Sequence, residues 1–143
     1  WVALAAHIEV NPDSGKVHVH KLTCVVDCGV VVHPDGALAQ LEGSLLWGVS
    51  LALHEGTEFK NGQVASTNLH NYSPLRMKDV PEMDISFVES DEFPVGLGEP
   101  GTTVVAPAIG NAVFNATGVR LRALPMTPAS VKIQLDTKTG VNA

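Results

Sequence analysis

The sequence predicts an α+β fold, a two-layer sandwich in which a mixed sheet carries two helices and a β-hairpin insertion. Three observations point there. Alternating apolar segments bounded by turn residues lie at the start of the chain and again near residues 83–88. Two longer segments repeat their apolar residues at intervals of three and four. The pair Asn61-Gly62 sits between two short extended runs, the strongest two-residue hairpin signal in the chain. Strands separated by helices, with hairpins among them, favour layered packing over an all-β or repeat design.

The elements follow in order. Residues 2–10 are apolar with polar breaks at His7 and Glu9; Asn11-Pro-Asp-Ser-Gly15 supplies a turn, and residues 17–26 alternate Val17 and Val19 against His18 and His20. This reads as a hairpin whose second strand continues through Val30–Val32, where a longer apolar run suggests cover on both faces. Cys24 and Cys28 fall in that run; four residues of strand hold them about 13 Å apart, too far for a disulfide within the strand, so both read as reduced and buried thiols, with a redox or metal role as the alternative.

His33-Pro34-Asp35-Gly36 breaks the strand, and Asp35 is placed to cap a helix over residues 37–54 with Leu38, Leu41, Leu45, Val49, Ala52 and Leu53 on one face. Gln40, Gly43, Ser44, Trp47 and Gly48 share another side. Glycine inside a helix costs about 1 kcal/mol relative to Ala, so that side needs the close approach of another backbone or a ligand. Residues 55–60 and 63–67 form the inserted hairpin, and residues 83–88 a further strand. A loop follows over residues 91–101. Thr102 or Thr103 then caps a second helix with Pro107 in its first turn and Gly118 at its end. Residues 120–124 and 131–135 read as short strands, and the polar tail from Asp136 as frayed.

With 143 residues, 45% hydrophobic and 17% charged, the chain is expected to be one domain, residues 1–143, that buries about 70% of its unfolded surface. A formal charge of −6 argues against nucleic acid as a partner. No apolar run approaches the ~18–20 residues that span a bilayer, so no membrane span is expected. The opening residues lack the pattern of a signal peptide, and the chain reads as an excised or processed piece of a longer protein.

The segment Gly96-Leu-Gly98-Glu-Pro-Gly101 matches G-x-G-x-x-G, but no buried strand precedes it, Pro100 stiffens the turn, and no acid stands about 20 residues on to take a ribose. A dinucleotide site is rejected. What stands out there is Glu99, an acid among small and apolar residues before a helix. It is either a solvated loop carboxylate or a desolvated one with the raised pKa of a general base. His7, His18 and His20 fall on one sheet face, as surface imidazoles or as a zinc site. No G-x-S-x-G elbow supports a hydrolase.

The strings Cys24-Val-Val-Asp27-Cys-Gly29, Pro34-Asp35-Gly36, Ala39-Gln40-Leu-Glu42-Gly43, Ser66-Thr-Asn68-Leu-His70-Asn-Tyr72, Leu75-Arg76-Met77, Gly96-Leu-Gly98-Glu99-Pro100-Gly101, Ala106-Pro107-Ala108 and Asn111-Ala112 together resemble the C-terminal molybdenum-cofactor-binding region of the xanthine oxidase/aldehyde oxidase family. Their order and spacing are most similar to the large subunit of the isoquinoline 1-oxidoreductase type. His33 departs from the Asn usual there, and residues 126–143 match nothing in the family pattern.

The resemblance implies a molybdenum hydroxylase large subunit that hydroxylates an N-heterocycle or aldehyde with oxygen from water. It implies molybdenum with molybdopterin cytosine dinucleotide, held mostly by an upstream part of the same subunit, and iron–sulfur clusters on a small partner subunit. By the same resemblance Glu99 is the general base, and Gln40, Gly43, Gly96 and Gly98 face the cofactor, with no direct protein ligand to the metal. The isolated chain is expected to be inactive. The alternative is a stand-alone binding or scaffold module that keeps the fold without the chemistry, with a reading frame that begins near Trp1. The compartment stays open between cytoplasm and periplasm.

Overall fold

A computed structural model describes residues 1–140. Strand β1 (Val2–Val10) pairs antiparallel with β2 (Val17–Val26) across the expected turn. The buried residues of β2 fall at 17, 19, 22, 24 and 26, so the alternation slips by one between Val19 and Leu22. A β-bulge absorbs the slip: the pairing passes from Ile8↔Val19 to His7↔Lys21, leaving His20 as the extra residue. These five side chains therefore face inward, while His18, His20, Lys21 and Val25 stay on the outer side.

The strand stops at Val26 and does not run on through Val30–Val32 as expected. Gly29 has φ 72°, which turns the chain, and a Cβ there would lie 2.4 Å from the Phe93 carbonyl oxygen. Beyond it the backbone bonds to the loop at residues 92–95 instead: Val30 N–H donates to Glu92 and Val95 N–H to the Cys28 carbonyl. Both thiols are free and buried, and burial pushes Cys24 above its ordinary pKa.

Helix α1 (Pro34–Leu53) starts three residues earlier than expected and is capped by His33, not Asp35. Proline has no N–H to lose at the first helical position, so the helix begins at Pro34, and His33 Nδ1 accepts from Gly36 N–H at 2.8 Å. At 20 residues α1 is long and apolar enough to cross a bilayer by length and composition, contrary to the sequence expectation. Its Leu41, Leu45, Val49 and Ala52 are instead fully buried in the protein core.

The insertion forms a two-residue ladder, β3 (Phe59–Lys60) with β4 (Gln63–Val64), around Asn61 and Gly62, both at positive φ. It is shorter than predicted because Phe59 and Val64 are exposed and have no sheet to pack on. Strand β5 (Glu82–Phe87) joins β2 in parallel, giving a mixed sheet in the order β1-β2-β5. The crossover between the parallel pair contains α1, as parallel pairing requires.

The next helix is broken in two. A single turn, α2 (Pro100–Thr103), begins at Glu99, and α3 (Val105–Thr117) ends at Gly118 in the left-handed conformation. Residues 120–124 form no strand: the Arg120 guanidinium lies 3.8 Å from the centre of the Phe114 ring and donates to Asn111 Oδ1 at 2.7 Å, tying the segment back to α3.

Residues 131–135 are not a strand either; they belong to α4 (Pro128–Gly140), as do residues 136–140 of the tail expected to fray, whose last three residues, 141–143, lie outside the described residues. Thr127-Pro128 is the start signal: Thr127 Oγ1 accepts from Ser130 N–H, and Pro128 stands at the first helical position. Val131 and Leu135, four apart, turn inward. The fold is thus the mixed α/β sandwich expected, with a third long helix. Its core joins Val19, Leu22, Cys24 and Val26 of β2 to Leu41 and Leu45 of α1, Ile109 and Val113 of α3, and Val131 of α4. The outer side of the sheet, with Ala5, His7, Glu9 and Thr23, stays exposed.

Candidate functional site

The small-residue side of α1 divides into two parts with different reasons. Ser44 and Gly48 are buried against α2 and α3. A Cβ on Gly48 would sit 2.5 Å from Val105 Cγ2, and one on Gly101 would sit 2.0 Å from Ser44 Oγ. Thr102 Oγ1 donates to the Ser44 carbonyl at 3.1 Å, and Ser44 Oγ donates to the Leu41 carbonyl at 3.0 Å. Glycine backbone on each helix meets a side chain of the other here, and residues larger than these leave no room. Gly43 is the opposite case: it is exposed, and nothing lies within 4 Å of where its Cβ would be.

That interface fixes the start of α2, and so Glu99. The Gln40 side chain crosses the same gap one turn earlier: its Nε2 donates to the Gly98 carbonyl at 3.1 Å. Gln40, Gly98 and Glu99 are thereby brought together, with Gly43 one turn along α1. Gly96 and Gly98 resemble Gly43 in that a Cβ on either would meet nothing within 4 Å. The fold brings the five residues singled out by sequence onto α1 and the loop it holds; at three of them the chain itself gives no reason for glycine.

Glu99 is exposed, and its backbone carbonyl accepts from Thr102 and Thr103 N–H. Among the described residues its carboxylate has no hydrogen-bond partner. The desolvated environment considered from sequence is not supplied by this chain. Beside the loop lies a cleft of about 260 Å³ lined by Cys28, Val31, His33, Gln40, Val95 and Leu97. Sequence reasoning missed Gly101 and Thr102 as the residues that seat Glu99; the signal was the pairing of Gly48 and Ser44, spaced one turn apart on α1, with a second glycine just after Glu99.

The segment before Gly96 is a loop, and the helix after it is a single turn, so the G-x-G-x-x-G letters do not sit on a strand–turn–helix unit. The histidines do cluster: the His7 and His20 rings are 5.2 Å apart and those of His18 and His20 4.5 Å, with His20 Nε2 3.3 Å from Glu9 Oε2. Among the described residues no group of three His, Cys, Asp or Glu is arranged to hold a metal ion.

The sheet-and-helix arrangement is one found in solved oxidoreductases. The structure aligns with the aldehyde oxidoreductase of Desulfovibrio desulfuricans ATCC 27774 at TM-score 0.79 and 29% identity, over 90% of this chain and 15% of that one. It aligns with that of Desulfovibrio gigas at TM-score 0.83 and 27% identity, over 94% of this chain and 15% of that one. Residues 1–81 match the family described as "Molybdopterin cofactor-binding domain". The chain belongs to that family, as a molybdopterin-binding region of the xanthine oxidase family.

Among curated relatives it is 57% identical, over 92% of its length, to "Membrane-bound aldehyde dehydrogenase [pyrroloquinoline-quinone]" of Gluconacetobacter polyoxogenes. It is 38% identical, over 93%, to "Isoquinoline 1-oxidoreductase subunit beta" of Brevundimonas diminuta. The chain spans 17% of the length of each. The residues present fit the family's cofactor: Gly43, Gly96 and Gly98 leave the open space that a group passing close to backbone needs, and Gln40 stands between them.

Proposed function

We propose that this chain is the C-terminal part of a molybdenum hydroxylase large subunit and carries its general base, Glu99. The observation that supports it most is the bond from Gln40 Nε2 to the Gly98 carbonyl, which orients the peptide leading into Glu99 beside glycines that leave their outer side open. In this reading molybdenum with molybdopterin, as its cytosine dinucleotide, supplies the oxygen transfer and takes up the electrons.

The chain's own residues do the rest. The Glu99 carboxylate accepts a proton as water-derived oxygen is delivered to the substrate carbon. Gln40 fixes the Gly98–Glu99 peptide, and Gly43, Gly96 and Gly98 let the cofactor approach backbone that a Cβ would shield. The seat made by Ser44, Gly101 and Thr102 keeps the loop from drifting, which matters because a base displaced by about 1 Å can lose a hundredfold in rate. Because Glu99 is exposed here, exclusion of water from it falls to the upstream part of the same subunit, without which this chain is inactive. In the same reading, iron–sulfur clusters on a small partner subunit would supply the path by which the electrons leave.

The substrate class is an aldehyde or N-heterocycle, and the 57% identity to a protein named as an aldehyde dehydrogenase favours the aldehyde. The test is Glu99→Gln in the full-length holoenzyme. The expected result is a fall in kcat of about 10²–10⁴-fold, the range general base catalysis supplies, with molybdenum content and melting temperature unchanged. An undiminished rate at full molybdenum loading overturns the assignment.

A further inference from the structure

Charge is distributed very unevenly along this chain. Between Pro100 and Leu135 there are three Lys or Arg and no Asp or Glu, so that stretch is +3, while the remaining residues hold six basic and fifteen acidic side chains, or −9. Two of the three cations, Arg120 and Arg122, line one cleft. It has two adjoining parts, of about 250 and 440 Å³, that share Arg120, Leu121, Arg122, Ala123 and Met126. Asn111 completes the polar lining on the α3 side, and Ser130 and Gln134 on the α4 side. No carboxylate lines either part, and among the described residues neither arginine has an ion pair.

Arg120 is nonetheless held in place. It is stacked on Phe114 and bonded to Asn111 Oδ1, a neutral acceptor, so its direction is fixed while its charge is left uncompensated. A second observation is independent of the charges. Gly110 lies inside α3 and faces the same cleft, and nothing lies within 4 Å of where its Cβ would be. Glycine is the poorest helix former after proline, and neither packing nor backbone conformation requires it here. An open floor beneath a lining of donors is what an anion approaching the backbone needs.

We propose that the cleft between α3 and α4 binds a phosphate group, with the guanidiniums of Arg120 and Arg122 as charged donors and the Asn111 and Gln134 amides as neutral ones. Two guanidiniums with two amides offer more N–H groups than one carboxylate can use, whereas the several oxygens of a phosphate match them. The site lies apart from the Gln40–Glu99 loop and does not depend on the function assigned to that loop.

The experiment is a titration of the isotope-labelled 143-residue chain with inorganic phosphate, followed by amide shifts in low salt. The expected result is saturation in the range of about 0.1–5 mM, with the largest shifts at Gly110, Asn111, Arg122 and Ala123, and weakening as salt rises. Arg120→Ala and Arg122→Ala should each weaken binding about tenfold or more. Lys132→Ala, the same change in net charge on the same helix layer, should change it less than about twofold.

Gly110→Ala separates a binding role from a structural one, because it should raise the melting temperature through helix propensity yet weaken phosphate binding. A nucleoside monophosphate binding at least about tenfold tighter than inorganic phosphate assigns the site to a phosphate ester, and equal affinities assign it to the free ion. Absence of saturable shifts, equal binding by acetate, or unchanged affinity in Arg122→Ala overturns the proposal.

Discussion

Gly101 and Ser44 show how one residue can matter without touching any ligand. A methyl on Gly101 would lie 2.0 Å from Ser44 Oγ and 3.1 Å from Ser44 Cβ, so Gly101→Ala must turn the Ser44 hydroxyl off the Leu41 carbonyl or push α2 off α1. We expect a loss of about 1–3 kcal/mol, the usual penalty of overpacking, in chemical denaturation, and Ser44→Gly in the same chain should restore most of it. Tyr72, the chain's single tyrosine, offers a direct spectroscopic handle. Its hydroxyl bonds Glu55, and that hydrogen bond is the main cause of a pKa raised above the ordinary tyrosine value. A raised folded pKa favours the neutral phenol, so this contact stabilises the fold below about pH 10 and is lost as pH rises through the folded pKa. Ultraviolet titration should place the Tyr72 midpoint above that of the unfolded chain, and Glu55→Gln should lower it.

At the scale of elements, the bulge in β2 gives the clearest case. Deleting His20 removes the extra residue and leaves Val17, Val19, Leu22, Cys24 and Val26 in phase on the inner face, so the deletion variant should fold with a change of roughly 1 kcal/mol or less. Deleting Thr23, three residues on, turns part of that set to the outside and should abolish the cooperative thermal transition seen by circular dichroism. The same phase slip is legible in the sequence, since apolar spacing of three inside a strand of period two calls for a bulge. The misread of residues 131–135 has a different origin. Val131, Ile133 and Leu135 do alternate, and in a window this short a strand and a helix face cannot be told apart. The Thr127-Pro128 start and the burial of Val131 and Leu135 decide for the helix.

For the whole molecule, the hairpin and the last helix hold each other. Gly15, at the β1–β2 turn, packs so closely on α4 that a Cβ would lie 2.2 Å from the Pro128 carbonyl oxygen and 2.6 Å from Lys132 N, and its φ of 72° adds strain for any other residue. Gly15→Ala should therefore cost about 2 kcal/mol or more and increase hydrogen exchange in α4 as well as in the turn. In the intact fold Cys24 and Cys28 are buried on the inner side, and the raised Cys24 pKa keeps it a thiol. Both should react with a thiol reagent at pH 8 only after denaturation.

By itself the sequence determined the β1–β2 hairpin, α1 and the Asn61-Gly62 turn, each written in local spacing or turn chemistry that acts over a few residues. The family was legible as a resemblance of many short segments in register, and the five candidate residues are what that resemblance implies. Tertiary structure alone decided which glycines serve the chain and which face outward, because the letter is the same while Gly48 and Gly101 meet Val105 and Ser44 and Gly43, Gly96 and Gly98 meet nothing. It decided that Gln40 reaches across 58 residues to the Gly98 carbonyl. It also decided that Arg120 and Arg122 stand in one cleft with Gln134. Such placements depend on how helices pack, a long-range outcome of burying Leu41, Leu45, Ile109 and Val131 in one core.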